Sequence, residues 1–286
     1  MQRNLTLPSG TTVEYWTYHA DQQPTIVMIH GMTGSHEGFQ YLEPLLTEYR
    51  LIIPDLPGFG VSDLPEKHDW SIEALARLTN EFVTELNLSE PPIILGHSMG
   101  GLVVSSMVAQ DPALFGDVIL ISPVPTRVTA RDSRYVGATL GGLQYKLGHA
   151  LGSPGEKLVK SRTISAATTR VMTKTKDTNR KKSIKQHHWK NLEYISSIEY
   201  YEALHRDINR RGAIGHAAAL KQKRIALIVG DSDVVTPLAE EKKLAAAITP
   251  EQFTIIPEVG HLIHYEKAPE AAQAIKAFLS HRQSRR

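Results

Sequence analysis

Six short apolar runs, each bounded by turn residues, constrain the fold of this chain more than any other feature. They are TIVMIH at 25–30, RLIIPD at 50–55, PPIILGHS at 91–98, DVILISP at 117–123, IALIVGDSD at 225–233 and QFTIIPEVG at 252–260. The first four are rich in β-branched residues and almost continuously apolar, the pattern of strands buried on both faces of a sheet. Amphipathic helical patterns separate them at 36–48, at 71–87 and from Met99 to about Ala113, and recur in PLAEEKKLAAAI and in APEAAQAIKAFLSHR at 268–282. Alternation of this kind predicts an α/β fold, a mostly parallel central sheet wrapped by helices. TTVEYWTYH at 11–19 follows the turn residues Pro8-Ser9-Gly10 and reads as a strand closing a hairpin.

The alternation stops at 124 and resumes after 222. No strand-like run of similar quality lies between, so several helices joined by loops are expected there. The chain thus divides into a core of residues 1–123 and 223–286 and a mainly helical insertion of residues 124–222. The pairs Gly137/Gly141 and Gly148/Gly152 have the spacing of close helix contacts, but Gln144, Lys146 and His149 argue against a membrane helix.

A chain of 286 residues can bury a substantial core, and its lack of cysteine excludes disulfides, thiolate metal sites and a cysteine nucleophile. MQRNLTLPSG has no apolar run of signal-peptide length, and no stretch approaches the ~18 apolar residues of a membrane span, so a cytoplasmic protein is expected. The formal net charge of +2 hides an asymmetry: residues 127–224 hold 21 Lys/Arg against 7 Asp/Glu, and the remainder is correspondingly acidic.

Gly96-His97-Ser98-Met99-Gly100 fits G-x-S-x-G, and it follows an apolar strand and opens a helical pattern. Such a turn holds serine in a strained backbone conformation, with glycines where side chains would collide. The hydroxyl then projects at the carboxyl edge of the sheet, beside a helix N-terminus that favours negative charge. Serine needs a base, and the base needs an orienting carboxylate. In this type of turn the chain order is Ser, acid, His, which directs attention to the ends of later strands. Gly230-Asp231-Ser232-Asp233-Val234-Val235-Thr236-Pro237 follows one, and Glu258-Val259-Gly260-His261 follows the next.

His30-Gly31, the GHSMGG turn, G-x-x-D-x-x-x-P and Gly260-His261, in this order, resemble the α/β-hydrolase superfamily over about 25–125 and 225–282. The insertion hardly shares the likeness. The resemblance implies Ser98 as nucleophile, His261 as general base and Asp233 as orienting acid, with Asp231 as the competing carboxylate. Counting from Gly230 and back from Pro237 favours Asp233. It also implies that the backbone N–H groups of Met32 and Met99 receive the developing oxyanion. His97 is expected to pack rather than react, His264 to support its surroundings, and Asp55-Leu56-Pro57-Gly58-Phe59-Gly60-Val61-Ser62 to be a structural turn.

These parts imply a serine hydrolase that cleaves a carboxylic ester or thioester through an acyl-enzyme. A carbon–carbon bond hydrolase or an acyltransferase would use the same triad, and a non-catalytic ligand receptor on the same fold is the reading from another class. Serine rather than aspartate at 98 argues against the dehalogenase and epoxide hydrolase branches. The insertion is expected to cap the site. His30, Gly31, Tyr135, Leu143, Trp189 and Val235 are candidates for the pocket, and Leu140, Tyr145, Tyr194 and Tyr201 could share that role or form the cap's own core.

No Walker loop, dinucleotide fingerprint or clustered metal-ligand spacing is evident, so neither cofactor nor metal is expected, and His187-His188 alone points only weakly to metal. The expected partner is a small-molecule acyl ester or thioester. Lys174, Lys176, Arg180, Lys181, Lys182, Lys185 and Lys190 lie in a stretch whose one acid is Asp177. That run should be mainly a solvated face, with a secondary preference for anionic substrates or weak contact with an acidic membrane surface. It lacks the interleaved aromatic residues of a nucleic-acid platform, so no nucleic-acid partner is expected.

Overall fold

The computed structural model describes residues 1–127 and 144–283. Its eight strands are β1 (Gln2–Thr6), β2 (Thr12–Tyr18), β3 (Thr25–Ile29), β4 (Arg50–Pro54), β5 (Ile93–His97), β6 (Val118–Ile121), β7 (Ile225–Gly230) and β8 (Gln252–Ile256). They form one sheet in the order β1-β2-β4-β3-β5-β6-β7-β8. The six strands from β4 to β8 are parallel, while β2 pairs antiparallel with β4 and with its hairpin partner β1.

Period-two alternation explains why the central strands are apolar throughout. Val27, Ile29, Ile52, Ile94 and Leu120 face one layer, packed with Leu75 and Phe82 of α1 (Ile72–Glu85) and Leu102 and Met107 of α2 (Met99–Gln110). Their neighbours Ile26, Met28, Ile53, Ile93 and Ile119 face the other, packed with Phe39 and with Ile275 and Phe278 of the closing helix. β8, at the sheet edge, is half-exposed instead.

One helical expectation fails. Residues 36–48 form two short 3₁₀ turns, His36–Phe39 and Glu43–Leu45, rather than one α-helix. Pro44 has no N–H to donate and disfavours the α conformation at Glu43, so the segment closes through i→i+3 bonds such as Leu46 N–H to Glu43 O at 3.0 Å.

Between β6 and β7 the described residues are helical: residues 144–150 (α3), α4 (Ser153–Val159), α5 (Arg162–Met172), α6 (Thr178–Glu193), α7 (Ile198–Arg210) and α8 (Ala217–Leu220). Serine and aspartate side chains cap several of them; Asp177 accepts the N–H groups of Asn179 and Arg180 to start α6. Tyr200 and Tyr201 of α7 anchor the insertion. Both are fully buried, their rings lie 5.9 and 5.0 Å from Phe59, and Tyr200 donates its hydroxyl to Pro57 O at 2.8 Å. The Asp55–Ser62 turn that receives them is held from within, since Asp55 accepts the N–H groups of His36 at 2.7 Å and Val61 at 3.0 Å.

Charge complementarity between the basic insertion and the acidic core is realised in exposed pairs such as Lys190–Glu37 and Arg211–Glu73. Such pairs contribute about 0–1 kcal/mol each, so aromatic burial dominates the docking. After β7, α9 (Leu238–Ile248), α10 (Ile263–Glu266) and α11 (Ala268–Gln283) complete the fold. Among the described residues, no helix is long and apolar enough to cross a membrane.

Candidate active site

Ser98 stands between β5 and α2 with φ 56° and ψ −120°, a conformation that costs a non-glycine residue about 1–3 kcal/mol. The flanking glycines make it attainable. A Cβ on Gly96 would lie 2.4 Å from Gly100 O, and a Cβ on Gly100 would lie 2.3 Å from Ile29 O at the end of β3. Helix α2 therefore starts in direct backbone contact with the central strands, and the serine hydroxyl is carried to the sheet's carboxyl edge.

His261 comes from the loop after β8 and Asp233 from the turn after β7. His261 Nε2 lies 2.8 Å from Ser98 Oγ, and its Nδ1 lies 2.7 Å from Asp233 Oδ2. Both groups are withdrawn from water, with His261 1% and Asp233 5% exposed. The Asp233 carboxylate also accepts the hydroxyl of Thr236 at 2.7 Å and the N–H groups of Val235 at 2.7 Å and Thr236 at 3.0 Å. Burial alone would raise its pKa, but His261 beside it and the Thr236 donors outweigh burial and hold the carboxyl below its ordinary value. With Asp233 ionised, His261 is held as the tautomer that donates from Nδ1 and presents the Nε2 lone pair to Ser98. Asp231, by contrast, is exposed and bonds Ser232 Oγ and Glu258 N–H, tying the β7 turn to the β8 turn.

The insertion takes part in this arrangement, because Met172 O at the end of α5 accepts the His261 N–H at 3.0 Å. From the core side His97 Nε2 donates to His261 O at 3.0 Å, leaving no role for His97 beyond support. Burial, with His261 nearby, pushes the His97 pKa down to about 3, so it remains neutral. Glu241 on α9 is fully buried, close to Thr236 and Asp233. Burial and then the charge of Asp233 push its pKa well above the usual range, which keeps it a neutral acid.

A cavity of about 110 Å³ opens over Ser98 between the sheet edge and α5 and α6. His30, Gly31, Met32, Ser98 and His261 line it from the core, and Tyr145, Ser165, Met172, His188 and Asn191 line it from the insertion. Among the described residues, the backbone N–H groups of Met32 and Met99 have no acceptor. His30 holds the loop that carries Met32 rather than offering a free nitrogen. Its Nδ1 donates to Gly31 O at 2.9 Å, its Nε2 accepts Leu56 N–H at 3.0 Å, and burial lowers its pKa.

Several expected pocket residues lie elsewhere. Trp189 does not line the cavity; its indole N–H donates to Arg162 O at 3.1 Å, and the Arg162 guanidinium lies over its ring. A helical residue presents only one side to the cavity, and on α6 that side carries His188 and Asn191. Val235 is also outside, contributing its backbone N–H to Asp233. Tyr201 is spent in the core beneath α7, and Tyr194 caps the end of α6. Tyr135, Leu140 and Leu143 lie outside the described residues. Among the described residues, no cluster of three or more His, Asp or Glu could hold a metal ion.

Sequence reasoning missed Thr236, His188 and Asn191. Thr236 had a local signal, being a hydroxyl residue three positions after an aspartate in a turn. The other two carried none.

Residues 24–268 match the family described as alpha/beta hydrolase fold. Lipase 3 of Moraxella sp. (strain TA144) is 30% identical over 138 residues, which cover 48% of this chain and 44% of that protein. Lipase 1 of Psychrobacter immobilis is 33% identical over 110 residues, covering 38% of this chain and 35% of that protein. The matched stretches thus span less than half of the length of these curated relatives. In overall structure the chain is similar to an esterase from Exiguobacterium antarcticum, with a TM-score of 0.79 at 18% identity, covering 98% of this chain and all of the other. That likeness concerns the fold. With the sheet order, the serine turn and a family match across most of its length in agreement, the chain belongs to the alpha/beta hydrolase fold family.

Proposed function

We propose that this protein is a serine hydrolase that cleaves a carboxylic ester or thioester through an acyl-enzyme. The observation that carries this reading is the unbroken hydrogen-bonded line from Asp233 through His261 to Ser98, at 2.7 and 2.8 Å. The lipases among its relatives support the same reaction class.

In the first step Ser98 Oγ forms a bond to the ester carbonyl carbon as its proton passes to His261 Nε2, and the carbonyl π electrons move to oxygen. The N–H groups of Met32 and Met99, which have no other acceptor among the described residues, receive that oxyanion. Collapse re-forms the carbonyl and breaks the bond to the leaving oxygen or sulfur, which takes the proton from His261. Water then enters, gives a proton to the same nitrogen and attacks the acyl carbon. The second collapse releases the carboxylic acid and returns the proton to Ser98. Asp233 remains ionised throughout and stabilises the imidazolium formed in each half.

The helices of the 124–222 insertion act as a cap, roofing the cavity through α5 and α6 and fixing the base through Met172. None of the lysines and arginines at 174–190 lines the cavity, so that basic run affects an anionic substrate only from outside, as a screened potential.

Fluorophosphonate labelling with peptide mapping, alongside turnover of p-nitrophenyl esters of graded chain length, tests the reading. Label on the Ser98 peptide, lost in Ser98→Ala together with turnover, is the expected result. Label on another serine, or turnover that survives Ser98→Ala, would remove the basis of the proposal.

A further inference from the structure

On the cavity wall, α6 places two polar side chains, His188 and Asn191, each already engaged by one hydroxyl of the protein. Asn191 is 5% exposed, and its Oδ1 accepts the hydroxyl of fully buried Ser35 at 3.1 Å. That bond orients the amide and leaves Nδ2 without a partner among the described residues, on a residue that lines the cavity. His188, three residues earlier on the same helix, lines the same cavity.

Its tautomer follows from the hydroxyl beside it. Thr169 Oγ1 has one hydrogen and donates it to Ser165 O at 2.8 Å, while it lies 2.7 Å from His188 Nδ1. With the Thr169 hydrogen on Ser165 O, the Thr169 oxygen accepts from Nδ1–H, and His188 Nε2 is then a lone-pair acceptor with no partner among the described residues. Burial, with His187 nearby, pushes the His188 pKa down to about 4, so the ring stays neutral. His264, 4% exposed on the same cavity, adds an Nδ1 that is buried without any partner.

A donor and an acceptor on neighbouring side chains of one cavity wall can be engaged together by a single ligand group. A saturated hydrocarbon chain would engage neither. A carboxylate could accept from Asn191 but would face the lone pair of His188, and among the described residues no lysine or arginine lines the cavity to balance its charge. A hydroxyl fits both, accepting from Asn191 Nδ2 and donating to His188 Nε2.

Building on the esterase reading above, we infer that the substrate is an uncharged ester bearing a free hydroxyl group, held between Asn191 and His188. The hydroxyl could be supplied by the acyl or by the alcohol half, and the assay separates the two. Ethyl butanoate is compared with ethyl 2-hydroxybutanoate and ethyl 3-hydroxybutanoate for the acyl side, and with 2-hydroxyethyl butanoate for the alcohol side, by pH-stat at neutral pH. Each kcat/KM is taken as a ratio to ethyl butanoate in the same preparation, which cancels the fraction of folded enzyme. Comparing that ratio between native protein and variant cancels the intrinsic reactivity of each ester.

For at least one hydroxy ester, the native ratio should exceed that of Asn191→Leu and of His188→Leu by tenfold or more, since a site built for a hydroxyl discriminates strongly against its absence. The conservative His188→Gln, which keeps an acceptor, should retain more of the preference than His188→Leu. Turnover of all four esters with ratios that change less than tenfold overturns the hydroxyl assignment and leaves the esterase reading standing. Absence of turnover on every ester overturns both.

Discussion

His97 offers a quantitative check on the supports beneath the proposed catalytic line. It is buried among His30, His261, His264 and Asp233, donates Nε2–H to His261 O, and is held neutral down to about pH 3. In the unfolded chain its pKa is about 6.5. Below that pH the unfolded state takes up a proton that the native state refuses, so stability falls as pH falls. The loss begins near 6.5 and grows until about pH 3, below which both states are protonated. At about 1.4 kcal/mol per pH unit, lowering the pH from 7 to 5 costs about 2 kcal/mol at His97 alone.

His188 and His205, each lowered to about 4 mainly by burial, add losses of the same sign and similar size. Glu241 opposes them, because its raised pKa lets the native state bind a proton that the unfolded chain lacks. The total slope mixes these groups, so the informative measurement is a difference. Urea denaturation of native protein and His97→Asn at pH 7, 6 and 5 should show a shallower acid loss in the variant, by about 2 kcal/mol between pH 7 and 5. Identical pH dependence in the two proteins would mean that His97 is charged in the native state at pH 5, and the neutral support assigned to it would be wrong.

Other expectations follow from the same geometry. Asp233→Asn should lower kcat roughly 10⁴-fold through loss of the correct His261 tautomer, whereas Asp231→Asn should leave turnover close to native; the reverse pattern in a steady-state assay would exchange their roles. Thr236→Val removes one donor from the Asp233 carboxylate and should reduce kcat about tenfold with KM little changed, measured on a short-chain ester. Gly100→Ala drives a Cβ into backbone carbonyls of β3 and should yield protein with a strongly reduced Tm or none in soluble form, whereas a native-like thermal melt would show that the turn can relax.

Much of the frame was legible in the sequence because it is encoded locally. Burial on two faces forces β-branched runs, which placed β3 to β7, and a strained strand-to-helix turn forces glycines, which placed Ser98. Gly260 before His261 and the spacing from Gly230 to Pro237 likewise carried the proposed base and acid in short stretches. Residues 36–48 escaped because an apolar period shared by α and 3₁₀ turns was decided by one proline. Tertiary structure alone determined the strand order, the anchoring of α7 by Tyr200 and Tyr201 against Phe59, and which side of α6 meets the cavity. Trp189 and His188 are adjacent in sequence, yet the rotation of one helix sends the indole to Arg162 and the imidazole to the site. Asn191 became a candidate only when Ser35, 156 residues away, was found against it. Such pairings depend on how distant segments close onto one another, and short-range periodicity records whether a side chain is buried, not which partner it meets.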